Sequence, residues 1–207
     1  MKPDCDLLRF EKEQLTLGNN LIAGVDEVGR GPLAGPVCCA CVIMSLKPED
    51  IVEGVWDSKK LSERKREELY LKIKEKAIAY NVEFVSEKII DDINILEATK
   101  LCMSNAINNI NVKPDVVLVD AVMGLKTDIP TISIIKGDAL SYTIGCASIL
   151  AKVERDHLMV ELDKTYPGYG LAKHKGYGTS THIKAIQELG PLPIHRKTFI
   201  KHFVDSR

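Results

Sequence analysis

No stretch of this chain approaches the roughly 18 uninterrupted apolar residues that a membrane-spanning helix requires. The first residues, MKPDCDLLRFEKEQ, carry acids where a secretory signal would have an apolar run. Both absences point to the cytoplasm. Six cysteines (Cys5, Cys38, Cys39, Cys41, Cys102 and Cys146) form no CxxC pair and no zinc-type spacing. Three of them lie in the apolar run PVCCACVIM, where free cysteine acts as a small buried hydrophobe, and a reducing compartment is expected. Internal repeats and low-complexity tracts are lacking too. With 45% apolar and 28% charged residues the chain falls outside the disordered and fibrous classes. A net charge of −1 does not mark a nucleic-acid binder. That average conceals a gradient, because residues 172–207 carry a net +5 and four of the five histidines, leaving −6 elsewhere. A basic flank beside an acidic site attracts phosphate.

What is present is the pattern of an α/β domain, and 207 residues suffice for one sizeable core. LLRFEKEQLTLG reads as an amphipathic helix stopped by Gly18. LIAGVDEV and PVCCACVIM read as strands joined by the turn GRGPLAG. LSERKREELYLKIKEKAI is a helix with Ser62 as N-cap and Leu69, Ile73 and Ala77 along one face. AYNVEFVSEKI is a third strand, a helix spans roughly 95–110, and DVVLVD and TISIIKG are short buried strands. ALSYTIGCASILAKVERDHLMVELDKTY reads as one long helix and THIKAIQEL as a shorter one. Three closely joined strands predict an antiparallel meander, and two late apolar strands reached through helices or loops predict parallel pairing. The expected architecture is a mixed central sheet flanked by helices. One domain is expected over 1–207, with a core at about 18–165 and a small helical, basic extension at about 166–207.

Acids interrupt the apolar strands. Asp26 and Glu27 lie inside LIAGVDEVG, Asp120 ends DVVLVD, and Asp138 follows IIKG. A carboxylate in a buried strand carries a large desolvation cost unless it is paired or binds a cation. Taken singly, Asp138 also suits a helix N-cap and Asp120 a strand-end turn. Adjacent acids inside an apolar strand serve no packing purpose, and converging acids call for a divalent cation of the oxygen-preferring kind, Mg²⁺ or Mn²⁺. Neighbours in a strand face opposite ways, so Asp26 and Glu27 share a site only near a strand end or bulge, and Glu27 is expected to reach a metal less directly. The turn Gly29-Arg30-Gly31 offers backbone amides to a ligand. The segment from Gly24 to Gly31 half-matches a phosphate loop, but it lacks the Lys and Ser/Thr and places acids where phosphates would lie.

At these residues the sequence resembles the ribonuclease HII family. GVDEVGRGPLAGPV (24–37), DSKKLSERKREEL (57–69), VDA (119–121), KGD (136–138), ASILAKVERD (147–156), HKGYGTSTH (174–182) and HRKTF (195–199) resemble its motifs, in family order over nearly the whole chain. The resemblance implies a ribonuclease H-like fold and an endonuclease acting on RNA–DNA hybrids and ribonucleotide-containing duplex DNA. It would cut 5′ to single ribonucleotides, leave 5′-phosphate and 3′-hydroxyl ends, and serve in removing misincorporated ribonucleotides and RNA primers. It implies Asp26, Glu27, Asp120 and Asp138 as ligands of two Mn²⁺ or Mg²⁺ ions, with Gly29, Arg30 and Gly31 reading the 2′-hydroxyl and Tyr177 the junction. Arg30 favours type 2 over type 3. Leu140 and Gly145-Cys146 depart from the family's frequent Lys and alanines, beside the site. Lys59, Lys152, Lys175 and Arg196 are candidate phosphate contacts, and His174 and His195 stay outside the catalytic set. A monomer is the default expectation. The rivals are a type 3 ribonuclease H, another nuclease of the same superfamily fold, and a non-catalytic nucleic-acid binder, which would gain nothing from acids that repel phosphate.

Overall fold

The computed structural model describes residues 6–55 and 61–204. Two of the residues singled out above, Lys59 and Cys5, lie outside them. Helix α1 (Arg9–Thr16) ends before Gly18, whose φ of +89° stops the helix where the sequence predicts. Strands β1 (Ile22–Val28), β2 (Val37–Met44) and β3 (Ala77–Val85) form an antiparallel meander. Strands β4 (Val116–Asp120) and β5 (Thr131–Ile134) add to it in parallel, giving the order β3-β2-β1-β4-β5. The mixed sheet of three antiparallel and two parallel strands is the one expected.

Both faces of the sheet are covered. Ala23, Val25, Cys39 and Cys41 pack against Cys102, Met103 and Ala106 of helix α3 (Glu87–Asn108). Cys38, Ala40 and Val42 meet Leu69 and Ile73 of helix α2 (Glu63–Lys76) and Cys146, Ile149 and Leu150 of helix α5 (Tyr142–Thr165). A strand buried on both sides reads as a continuous apolar run, which is why PVCCACVIM shows no alternation. The five described cysteines are buried, free thiols inside this packing.

Three boundaries differ from the sequence reading, each for a local reason. Helix α2 begins at the Ser62 cap, whose hydroxyl accepts the Lys65 amide at 3.2 Å, but Ala77 opens β3 instead of closing the helix. Ser86 is a cap, not a strand residue, so α3 starts at Glu87 and bends at Asn94, where φ is +66°. The long helix is interrupted: α4 (Gly137–Leu140) gives way at Ser141, whose extended backbone (φ −122°, ψ 133°) caps α5. Beyond α5 lie α6 (Leu171–His174), α7 (Ser180–Leu189) and α8 (Lys197–Val204).

The contact between β1 and α5 passes through Gly24. A Cβ there would stand 2.2 Å from the Thr143 carbonyl carbon and 2.4 Å from the Ile144 nitrogen, both backbone atoms that no rotamer change can move. Gly24→Ala is therefore expected to force the helix off the sheet and destabilise the fold by about 3 kcal/mol or more, the upper range for overpacking. Urea unfolding checks this, and a loss under about 0.5 kcal/mol, ordinary for a surface change, would show that α5 shifts freely.

Candidate active site

Parallel pairing of β1 with β4 brings two strand C-termini to one edge. The register runs to Val25 opposite Val119, so Asp26 and Asp120 follow side by side. Ligands of open α/β sheets bind at such strand ends. Carboxylate oxygens of Asp26, Glu27 and Asp120 lie within 4.8 Å of one another. Glu27 is the penultimate residue of β1, and at this strand end it joins the cluster although its neighbour in the strand faces the other way. Asp138 stands outside that cluster, buried in the first turn of α4. It follows directly on Gly137, whose amide donates to Asp120 Oδ1 at 2.6 Å.

Burial and mutual repulsion set the electrostatics of the cluster. Burial, reinforced by Glu27 and Asp120, holds the Asp26 carboxyl well above the usual carboxylate range, against the opposing pull of the Ser148 hydroxyl and the Glu27 amide. Burial also raises Glu27, against the attraction of Arg30, whose Nη1 lies 3.5 Å from Glu27 Oε1. Glu27 Oε2 is buried without a hydrogen-bond partner. Oxygens on one Mg²⁺ at about 2.1 Å stand at most about 4.2 Å apart, so a small side-chain adjustment closes the cluster around a cation. The donors, all oxygen and all acidic, fit a hard divalent ion.

Next to these acids runs the turn that follows β1. Gly29 adopts φ +92°, and a Cβ on it would collide with Arg155 Nε at 2.2 Å. This glycine thus makes room for a side chain of the protein itself, not for a ligand. Gly31 is the open one: it is exposed, and a Cβ there would meet only the Tyr177 ring, at 3.9 Å. The structure therefore brings the turn and Tyr177 together, with the ring 40% exposed.

Arg196 corrects an expectation. It does not present itself to phosphate, because its side chain is fully buried and donates to the carbonyls of Gly29 (2.6 Å), Arg30 (2.8 Å) and Gly35 (2.8 and 3.0 Å). Burial, with Arg155 as a like charge, pushes its pKa down to about 9. Losing hydration costs a buried ion several kcal/mol. Four charge-assisted hydrogen bonds at about 1.5–3 kcal/mol each offset that. Lys152 is held by Asp156 at 2.7 Å, and Lys175 by the Ala172 carbonyl with Glu63 at 3.9 Å.

Some residues around the site escaped sequence reasoning. Ser148 and Arg155 sit inside a motif already noted, ASILAKVERD, but a buried arginine in a helix looks like any surface one. Nor do sequence spacings show that His182 and His195 form a relay. The Leu192 amide donates to His195 Nδ1 at 2.7 Å, so His195 carries its proton on Nε2 and donates to His182 Nε2 at 3.0 Å. His182 Nδ1 then donates to the Tyr177 carbonyl at 3.0 Å, fixing both tautomers. At Gly145, a departure from the family's frequent alanine, a Cβ would press on Val55 Cγ1 at 3.0 Å.

A parallel-ended acidic cluster beside an exposed turn on a mixed α/β sheet offers a site that could hold a divalent metal ion next to an open surface. The sequence-family model of ribonuclease HII matches residues 23–202. Ribonuclease HII of Ruminiclostridium cellulolyticum is 51% identical over 96% of this chain and 77% of its own length. That of Caldicellulosiruptor saccharolyticus is 50% identical over 99% and 100%. Ribonuclease H2 from Pyrococcus horikoshii OT3 superposes with a TM-score of 0.75 at 30% identity, covering 89% of this chain and 97% of that one. A ribonuclease HIII, Bst-RNase HIII, shares the fold at 16% identity, with a TM-score of 0.60 over 83% of this chain and 64% of that one. The chain belongs to the ribonuclease HII family, metal-dependent hydrolases of nucleic acid. No described helix is long and apolar enough to cross a membrane.

The histidine relay generates a pH prediction. Burial and the neighbouring His182 depress His195 to about 4, against 6.5 in the unfolded chain. Its folded pKa is lowered, so the unfolded state binds more protons between these values. Stability is then full above pH 6.5 and lost as pH falls through 4, by about 3 kcal/mol. His182, stacked on His174 at 4.3 Å, and the Tyr169 ring at 5.7 Å are the groups facing it. Urea unfolding from pH 7 to pH 4 should show a shallower fall in His195→Asn, whose amide oxygen can accept the Leu192 amide without titrating. Parallel curves would remove the relay as a source of acid sensitivity.

Proposed function

We propose that the chain hydrolyses the RNA strand of RNA–DNA hybrids and cuts 5′ to single ribonucleotides in duplex DNA, leaving 5′-phosphate and 3′-hydroxyl ends. The observation that carries this is the adjacency of the three-carboxylate cluster to the Gly29–Gly31 turn and the Tyr177 ring. Cleavage chemistry and a sensor for ribose thereby occupy one edge of the sheet. Asp26, Glu27 and Asp120 would hold Mg²⁺ or Mn²⁺, with Asp138 completing the set for two ions. Such ions, when bound, supply an acidified water and offset charge on the scissile phosphate.

The chain's own residues do the rest. Arg196 takes the Gly29 and Arg30 carbonyls on one side. The described peptides are trans, so the Arg30 and Gly31 N–H groups point the opposite way. Those amides meet a 2′-hydroxyl as donors, and DNA leaves them unpaired. A site built to hydrogen-bond a hydroxyl rejects the analogue lacking it by about 10⁴–10⁵. Tyr177 stacks on the neighbouring nucleotide and marks the RNA–DNA junction. Lys152 and Lys175 contact phosphates without reading sequence. Removal of misincorporated ribonucleotides and RNA primers is the cellular role this reaction fits.

The test is cleavage of a DNA duplex carrying one ribonucleotide, with Mg²⁺ or Mn²⁺ and with chelator, beside an all-DNA duplex. One metal-dependent cut on the 5′ side of the ribonucleotide is expected. Efficient cutting of long hybrids without that cut would place the chain with type 3 specificity, and cutting of the all-DNA duplex would sink the reading. Asp26→Asn and Asp138→Asn are each expected to lower turnover more than about 100-fold, beyond the loss typical of an outer-shell partner. An Asp138→Asn enzyme of wild-type rate would remove Asp138 from the metal set. Tyr177→Ala should lower selectivity for the single ribonucleotide over a long hybrid, and an equal loss on both would count against its junction role.

A further inference from the structure

Two arginines that the mechanism above does not use as ligands connect its two substrate-reading segments. Arg155, on α5, is fully buried and donates from Nε to the Pro36 carbonyl (2.9 Å) and from Nη2 to that of Ala34 (3.1 Å). Its Nη1 reaches across to the Lys175 carbonyl at 2.9 Å, two residues before Tyr177. Arg196 holds the front of the same loop through Gly29, Arg30 and Gly35. The segments also touch directly, because the Leu33 amide donates to the Gly176 carbonyl at 2.8 Å. A Cβ on Gly176 would stand 2.5 Å from the Ala34 carbonyl oxygen.

We propose that Arg155 and Arg196 are positioning residues that lock the Gly29–Gly31 turn and the Tyr177 segment into one rigid reading head. Recognition of the ribose hydroxyl and stacking at the junction then succeed or fail together. The proposal rests on the assignment of those two segments as substrate readers. Apolar filler would also support a loop, but it would not orient one. A guanidinium presents five donors in a fixed planar fork. Here two such forks turn the carbonyls of residues 29, 30, 34, 35 and 36 inward, which directs the Arg30 and Gly31 amides to the opposite side. Only Arg155 spans both segments. It also fills the space that Gly29 leaves, so turn, fork and tyrosine segment are in serial contact.

Lysine in place of either arginine keeps the charge and loses the fork. The experiment measures kcat/KM for Arg155→Lys and Arg196→Lys on a single-ribonucleotide duplex and on a long RNA–DNA hybrid, alone and combined with Tyr177→Ala, with thermal unfolding as the fold control. Gly176→Ala serves as an independent variant that spreads the two segments and leaves both arginines intact. In the folded variants, selectivity for the single ribonucleotide should fall about tenfold, and by less than about threefold when Tyr177 is already alanine, since groups acting as one unit are not additive. Equal losses on both substrates, or the same loss with and without Tyr177, would reduce the arginines to general supports and overturn the proposal. If Tyr177→Ala alone leaves selectivity unchanged, the junction reading falls and takes the reading head with it. If Tyr177→Ala alters selectivity but the lysine and Gly176 variants do not couple to it, only the reading head falls.

Discussion

Mutual repulsion of carboxylates at the ends of β1 and β4 is the constraint on which the site depends. Two full charges at about 4.8 Å repel by roughly 3 kcal/mol at an effective dielectric of 20. Native domains are stable by only about 5–15 kcal/mol, so three ionised acids in that space would consume much of the margin. Without a cation, burial first and the neighbouring acids after it push the Asp26 and Glu27 carboxyls up. With a cation the same crowding becomes binding energy. A bound cation would make such acids tolerable in the core.

The rest of the architecture keeps those acids close. Parallel pairing fixes Asp26 beside Asp120, and the Gly137 amide holds Asp120 from the next segment of chain. Helix α5 lies on Gly24 and supplies Ser148 to Asp26. Its own start is fastened from the far end of the sequence: Glu11 of α1, fully buried, accepts from the Ser141 hydroxyl (2.6 Å) and from the Thr143 amide and hydroxyl (both 2.9 Å). A carboxylate at a helix N-terminus is favoured by the exposed amides there. An acid in an N-terminal helix thus helps to set where α5 begins, four residues after Asp138.

Much of this was legible in the sequence, and the residues show why. The sheet's mixed topology followed from run lengths and spacing, and the acids stood out because they break apolar strands. Asp26 is readable because adjacent acids inside an apolar strand serve no packing purpose, whereas Asp120, which singly suits a strand-end turn, is readable only beside that pair. Boundaries were less so: Ser86 and Ser141 turn strand into helix and divide one helix into two, but a lone serine carries no signal until its amide partner is known. The burial of Arg155 and Arg196 is less legible still. Arg196 lies in a basic tail and reads as a phosphate contact, whereas its partners are carbonyls about 160 residues earlier in the chain. Sequence reports charge well and burial of charge poorly.

Backbone strain tells the same story from another direction. Among the described residues, four other than glycine have positive φ: Asn94, Ala121, Lys136 and Lys175. Asn94 belongs to the residue types that tolerate this region, and its side chain accepts the Leu96 and Glu97 amides at 2.9 and 3.2 Å, capping the second part of α3. The other three have no such excuse, and each left-handed residue costs about 1–3 kcal/mol. Ala121 follows Asp120, Lys136 precedes the Gly137 amide that holds Asp120, and Lys175 stands two residues before Tyr177. That the strain is kept beside the carboxylates and the tyrosine, and the surrounding hydrogen bonds over-determine it, indicates that the direction in which these chain segments enter the site matters more than the stability they forfeit.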